Sequence, residues 1–278
     1  MNEQMQISGE TADQARPRPS MAILVAISTV NPLALNIYLP SLAGMIAAFN
    51  TTSAQVQLTM SLYMAAVGVT QIFLGPLSDR YGRRPVVIGG MAVFVVGTLI
   101  CLAAPDINTL IAGRIIQAMG GCAGLVLGRA IVRDLFERER AASMIGYVTM
   151  GMAVGPMFAP AIGGALDGHF GWQGGFYLML AIGVIILVAA WFDLHETHHN
   201  RTRGQGFGGL VASYRALGSE RLFWAYAATS MFTSSVYFAF LGGAPFIAAS
   251  VLGMSPVVMG LYFMLVAAGY IVGNGLSG

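Results

Sequence analysis

Eight apolar runs follow one another along the chain after Ser20, and this series constrains the fold more than any other feature of the sequence. A helix needs about 20 apolar residues to cross about 30 Å of hydrocarbon, and each run is near that length. Backbone groups in lipid must be hydrogen-bonded within the protein, so long runs with little alternation favour helices over barrel strands. The sequence therefore predicts an all-α polytopic membrane protein. The predicted spans are residues 21–43, 55–77, 86–104, 107–130, 142–165, 172–192, 222–244 and 256–278.

The composition agrees with a membrane protein and narrows the function. Charged residues make up 9% of the chain, whereas a typical soluble domain has about 25%. All 14 basic residues are arginine, which excludes the lysine of an ATP-binding phosphate loop and a Schiff-base lysine. We expect no enzyme activity, no catalytic residue, no cofactor and no nucleic-acid partner. Cys101 and Cys122 lie in apolar runs, and we expect buried thiols rather than a disulfide or a metal pair.

The arginines test the predicted topology. Thirteen of the 14 precede span 1 or flank the connections between spans 2 and 3, 4 and 5, or 6 and 7, and the alternate turns contain none. Cytoplasmic loops are enriched in arginine, so the pattern predicts a cytoplasmic N-terminus and a multi-pass protein of the bacterial inner membrane. A wrong number of spans would destroy the alternation. Arg114, inside span 4, is the exception.

The polar segments divide the chain. Residues 1–20 are predicted to be a disordered cytosolic tail, and residues 21–192 a six-helix transmembrane bundle. Residues 193–221 form a predicted cytosolic linker, and residues 222–278 two spans of a second, incomplete bundle. The last span reaches Gly278 without a polar flank, so we expect a fragment of a longer protein. His195, His198 and His199 in the linker lack a further ligand, so a solvated segment is expected there rather than a metal site.

The turn between spans 2 and 3 has an ordered pattern of glycines and charges, Gly75-Pro-Leu-Ser-Asp-Arg-Tyr-Gly-Arg-Arg-Pro85. Gly75 is expected to allow close helix approach, and Gly82 a tight turn. Asp79 can lie against the N-terminus of a neighbouring helix, and the arginines can pair with it or with lipid phosphate. The pattern resembles the signature loop of the major facilitator superfamily. The matching positions, a predicted conformational motif, are Gly75, Asp79, Arg80, Gly82, Arg83 and Arg84.

Span 5 contains a second pattern, Gly151-Met-Ala-Val-Gly-Pro-Met-Phe-Ala-Pro-Ala-Ile-Gly-Gly164. It resembles the antiporter motif of drug–proton antiporters in that superfamily. Small residues four apart allow close helix packing, and prolines favour a bend, so the helix suits a hinge between transporter states. Ordinary packing of membrane helices is the alternative. The motif positions are Gly151, Gly155, Pro156, Pro160, Gly163 and Gly164.

Arg114 lies inside span 4, about 10 Å from its outer end at 1.5 Å per residue. Leu110-x3-Arg114-x2-Gln117 resembles a further pattern of the superfamily, with Ala118 where glycine is usual. A buried arginine is costly unless it faces a wet cavity or a partner, which indicates a central substrate or proton site. The alternative is that Arg114 extends to the outer interface.

Span 1 resembles the first helix of the bicyclomycin/chloramphenicol resistance (Bcr/CflA) family in its sequence Asn36-Ile-Tyr-Leu-Pro40. Asn36 stands where that family commonly has an aspartate. By depth, Asn36, Tyr63 and Arg114 can share one layer of the membrane. The predicted substrate or proton site consists of Asn36, Tyr63, Arg114 and Gln117.

The resemblance implies a major facilitator fold, here the first six-helix bundle and two helices of the second. It further implies a monomer in the lipid bilayer that exports amphipathic drugs in exchange for protons. The 12 acidic residues lie in the tail, loops and span ends, so the proton-carrying group is not identified. Two alternatives remain, a carrier of a small metabolite and a non-transporting truncated membrane protein.

Overall fold

The computed structural model describes residues 19–197 and 214–277, and the chain is helical over nearly all of them. Residues 1–18 of the predicted tail and residues 198–213 of the predicted linker lie outside the described residues. The helices are α1 Met21–Asn36, α2 Leu42–Ala48, α3 Ser53–Tyr81, α4 Arg83–Leu102, α5 Ile107–Leu135, α6 Arg138–Phe170, α7 Gln173–Asp193, α8 Arg221–Ser250 and α9 Pro256–Ser277.

These helices confirm the predicted polytopic membrane fold. Within the described residues, seven helical stretches are long and apolar enough to span a membrane, with α1 and α2 counted together as one. They match predicted spans 1 to 7. Helix α9 matches the eighth, and its residues Pro256–Val266 form a shorter apolar stretch. Short connections, such as the single residue Gly82 between α3 and α4, make consecutive helices antiparallel.

Two predictions about the first span are corrected. Span 1 is not continuous, because α1 ends at Asn36 and a 3₁₀ turn, Leu39–Ser41, precedes α2. A proline ring clashes with the carbonyl four residues before it, and Asn36 is four residues before Pro40. Ser20, assigned to the predicted tail, instead belongs to the first helix as its cap. Its backbone N–H and hydroxyl donate to Asp193 at 2.8 and 2.7 Å.

The arginine-rich turn is shorter than the sequence predicts. Gly75, Asp79 and Arg80 belong to the last turns of α3, and α4 begins at Arg83. Gly82 alone connects the two helices with φ at +103°, a conformation that favours glycine. The expected close helix approach at Gly75 is not seen, because a Cβ there meets nothing within 4 Å.

Helix α6 packs against α1 through the small residues of the predicted antiporter motif. A Cβ on Gly151 would overlap Val25, and one on Gly155 would overlap Thr29. Farther along, Gly163 leaves no room for a side chain beside the backbone carbonyl oxygen of Ile37. The close packing expected of this face is therefore present. The helix continues through Pro156 and Pro160 without interruption.

The same helix also contacts α9, through a reciprocal arrangement of two Pro-x3-Gly segments. A Cβ on Gly164 would overlap the Pro256 carbonyl, and a Cβ on Gly260 would overlap the Pro160 carbonyl. Each glycine thus faces the carbonyl of the proline on the other helix. This backbone-to-backbone contact joins the first six spans to the last two at the arginine-free end of the bundle.

Candidate functional site

Arg114 of α5 is enclosed by aromatic rings in the middle of the bundle. Its side chain is 1% exposed. The Cζ atom lies 4.1 Å from the ring centroid of Tyr38 and 4.1 Å from that of Tyr63. Phe176 is farther away, at 5.9 Å. The ring faces attract a cation, and this attraction strengthens when water is excluded. The guanidinium is therefore held inside the protein and does not extend to the membrane interface.

The interrupted first span supplies a hydrogen-bond acceptor for this cation. Nη1 of Arg114 donates to the carbonyl oxygen of Ala34 at 3.1 Å and to Oε1 of Gln117 at 2.6 Å. Ala34 lies in the last turn of α1, where carbonyls lack helical partners and the helix dipole is negative. The break that Pro40 imposes thus leaves an acceptor that suits a buried positive charge. Nη2 and Nε of Arg114 have no hydrogen-bond partner among the described residues.

Three of the four predicted site residues are in direct contact. Arg114 stacks on Tyr63 and bonds Gln117, whose Nε2 donates to Thr98 at 2.8 Å. Asn36 is buried two residues beyond Ala34, and its amide donates to the Pro32 carbonyl within α1 at 2.7 Å. Sequence reasoning missed Tyr38 as a partner of Arg114. The signal was available, because Tyr38 is part of the span 1 pattern that contains Asn36.

A cavity of about 450 Å³ lies between α3 and α8. Met60 and Met64 line this cavity. Tyr63, which lies between them in the sequence, does not line it and instead contacts the guanidinium of Arg114. Its lining combines apolar, hydroxyl and amide groups without a charged side chain. The residues that line it are Leu42, Gln57, Met60, Ser61, Met64, Ser235, Phe238, Ala239, Gly242 and Gly243.

The acidic side chains of the described ranges lie at helix ends and connections. Asp106 is an example, since its carboxylate caps α5 and accepts hydrogen bonds from the backbone N–H groups of Asn108 and Thr109. The Thr109 backbone N–H and hydroxyl hold the pKa of Asp106 below its usual range. His195 Nδ1 lies 2.9 Å from the Asp193 carbonyl, and His198 and His199 lie outside the described residues. Residues 19–197 and 214–277 contain no cluster of three potential metal ligands.

Arg83 connects three helices at the arginine-rich end. It pairs with Asp79 of α3 at 2.7 Å and with Asp134 of α5 at 3.0 Å. It also bonds the hydroxyl of Ser78. The arginine therefore pairs with Asp79, one of the placements that the sequence allowed. Because Arg83 directly follows Gly82, the conformation of that glycine determines where this cation points.

Comparison with known sequences identifies the family. Residues 24–278 match the family described as Major Facilitator Superfamily. The chain is 34% identical over 248 residues to Multidrug resistance protein D of Escherichia coli K12, covering 88% of this chain and 61% of that protein. It is 31% identical over 267 residues to the uncharacterized MFS-type transporter YdgK of Bacillus subtilis 168, covering 95% and 66%. Multidrug resistance protein MdtL of Salmonella typhimurium LT2 is 29% identical over 230 residues, covering 83% and 58%.

Solved structures share the same fold. A bacterial homolog of the human lysosomal transporter Spinster, inward-facing and occupied, superimposes with a TM-score of 0.77 at 20% identity over 92% of this chain and 59% of that one. The D-xylose–proton symporter superimposes with a TM-score of 0.58 at 13% identity, over 88% of this chain and 65% of that one. The chain spans 58% to 66% of the length of the curated relatives named above. The match over residues 24–278, together with the helical bundle, shows that the chain belongs to the major facilitator superfamily.

Proposed function

We propose that this protein exports amphipathic drugs across the bacterial inner membrane in exchange for protons, by alternating access. The observation that carries the proposal is the uncharged cavity between α3 and α8, on the same helix α3 whose Tyr63 contacts the buried Arg114. Transporters of this architecture bind their substrates near the middle of the membrane between the two bundles. The relatives named as multidrug resistance proteins support drugs as the substrate class.

The chemistry of the cavity suits an amphipathic ligand. Methionine side chains adapt to irregular apolar shapes, and Met60 and Met64 line one wall. Ser61 and Ser235 supply hydroxyls that can bond a polar group of the ligand. A volume of about 450 Å³ lies within the range of sites for drug-sized molecules.

The proposed roles of the predicted site residues follow from their positions. Tyr63 contacts Arg114 and lies in sequence between Met60 and Met64, which line the cavity, so a movement of α3 on ligand binding would reach the guanidinium through Tyr63. An arginine stays protonated in proteins, so Arg114 acts by its charge and does not itself carry a proton. Gln117 orients Arg114, and Asn36 lies at the end of the helix that Arg114 caps. The Arg83 cluster and the small-residue face of α6 serve the conformational change.

Transport into everted membrane vesicles tests this function. In everted vesicles the cytoplasmic face is outside, so export of a fluorescent amphipathic drug is measured as uptake. With the full-length protein, an acid-inside pH gradient is expected to drive accumulation of the drug in the vesicles. Nigericin should abolish this accumulation by collapsing the gradient. Vesicles without the protein are the control. Accumulation that persists in nigericin would contradict proton coupling, and transport of a polar metabolite without any drug would support the carrier alternative.

The orientation gives a further prediction. Ser219 precedes α8 at the arginine-rich end, and Ser53 begins α3 at the opposite end, and both are exposed. In a background with Cys101 and Cys122 replaced by alanine, Ser53→Cys is expected to react with an impermeant maleimide in intact cells. Ser219→Cys should react only after the cells are opened, because arginine-rich ends face the cytoplasm. Labelling of Ser219→Cys in intact cells would reverse the proposed orientation.

A further inference from the structure

The N-terminus of α4 and the C-terminus of α7 lie side by side and cap each other. The backbone N–H of Arg83 donates to Oε1 of Glu196, three residues after α7, at 2.9 Å. In return, Arg84 Nε donates to the Leu194 carbonyl at 2.6 Å, and Arg84 Nη2 donates to the Trp191 carbonyl at 2.8 Å. The N-terminus of α4 thus receives a carboxylate, and the C-terminus of α7 receives a guanidinium. Each charge is the one that the unpaired backbone groups and the helix dipole favour at that end.

Helix α4 depends on this carboxylate because its own sequence supplies no cap. Its N-cap position is Gly82, which has no side chain to accept a backbone hydrogen bond. The Glu196 carboxylate occupies the space where a side chain on residue 82 would stand, since a Cβ there would overlap Oε2. Glycine at position 82 is therefore favoured by its positive φ, and it also leaves room for the Glu196 carboxylate in its present position.

The capped residue is the one that organises the arginine-rich end. Arg83 receives Glu196 on its backbone, while its side chain pairs with Asp79 and Asp134. Glu196 also accepts the backbone N–H of Thr197, the next residue in the segment that follows α7, at 3.1 Å. Along the sequence, that segment leads to α8 and so joins the two sets of spans.

We propose that Glu196 is a positioning residue for transport, whose carboxylate holds the Gly82 turn so that Arg83 points at Asp79 and Asp134. The proposal rests on the transport function proposed above. Glu196 lies outside the membrane spans and away from the cavity, so it acts on the rate of the conformational step and not on ligand binding. The expected signature is a fall in turnover with an unchanged KM for drug.

Amide hydrogen exchange and transport kinetics of the full-length protein test this role. Glu196→Ala should speed exchange of the Arg83 amide by about tenfold, the factor for one lost hydrogen bond to a charged group. Turnover should fall by about threefold or more, with KM within about twofold. Glu196→Gln keeps an acceptor oxygen and should recover part of the loss. Glu220→Gln is the matched control, because this exposed glutamate makes no side-chain cap.

A second variant separates positioning from general folding. Gly82→Ala places a methyl group where the carboxylate stands, so adding Glu196→Ala to it should change turnover less than Glu196→Ala does alone. Normal exchange of the Arg83 amide in Glu196→Ala would overturn the cap. Unchanged turnover despite faster exchange would overturn the positioning role. If the wild-type protein carries no drug, the proposed function fails, and the exchange measurement still decides whether Glu196 holds the turn.

Discussion

Replacing Arg114 by glutamine is expected to reduce drug transport by about 10-fold or more while leaving membrane levels close to normal. Hydrogen bonds to charged groups are worth about 1.5–3 kcal/mol, and about 1.4 kcal/mol already corresponds to a factor of ten in rate. Arg114 makes two such bonds and lies between the faces of Tyr38 and Tyr63. Glutamine removes the charge but not the whole side chain. The measurement is drug uptake by everted vesicles at matched expression.

Arg114→Lys should recover little of this loss. A planar guanidinium fits between two rings and still donates at its edge to Ala34 and Gln117, whereas an ammonium is compact and strongly hydrated. Arg133→Gln is the matched control, because Arg133 is an exposed arginine near the end of the same helix. Full transport by Arg114→Gln would remove Arg114 from the proposed site, and full transport by Arg114→Lys would show that charge alone suffices.

Gly163→Ala is expected to cause the largest loss of stability among single-methyl additions to α6. The new Cβ would overlap the Ile37 carbonyl oxygen at the break in span 1, and a backbone atom cannot move aside as a flexible side chain can. Overpacking of this kind costs about 1–3 kcal/mol, which outweighs the gain of up to about 1 kcal/mol in helix propensity. The apparent melting temperature of the purified protein in detergent should therefore fall.

Gly168→Ala supplies the matched comparison on the same helix. A Cβ on Gly168 would meet only a side-chain carbon of Val257, at the ordinary contact distance of 4.0 Å. This variant should keep or raise the melting temperature, because alanine favours the helix. A Gly163→Ala protein as stable as Gly168→Ala would contradict the close contact between Gly163 and the Ile37 carbonyl oxygen.

The apolar runs predict the helices well because a lipid environment leaves few alternatives to a helix of about 20 residues. The break in span 1 could not be predicted in the same way. Pro32 lies inside α1, whereas Pro40 ends the helical path at Asn36. Both prolines stand in the same apolar run, and packing against Gly163 at Ile37 depends on contacts that the local sequence does not contain.

The sequence predicted the depth of the candidate-site residues in the membrane, but not the direction in which each side chain points from its helix. Residue counting correctly brought Tyr63 to the level of Arg114, since a helix rises by a constant amount per residue. Tyr38 follows the break, so its orientation depends on the 3₁₀ turn, and sequence counting missed it. Glu196 was missed because the contact between α4 and α7 joins residues 113 positions apart.

The reciprocal Pro-x3-Gly contact between α6 and α9 has a consequence for the energetic barrier to motion. Interlocked ridges of long side chains must change rotamers before one helix can slide past another. At Gly164 and Gly260 the surfaces that meet are main-chain atoms, with no side chain between them. A rocking movement there, as the proposed alternating access would require, is expected to need no rotamer exchange and therefore to meet a low barrier. We therefore expect the rate of the proposed cycle to depend more on charge contacts elsewhere, such as those of Arg83 with Asp79 and Asp134.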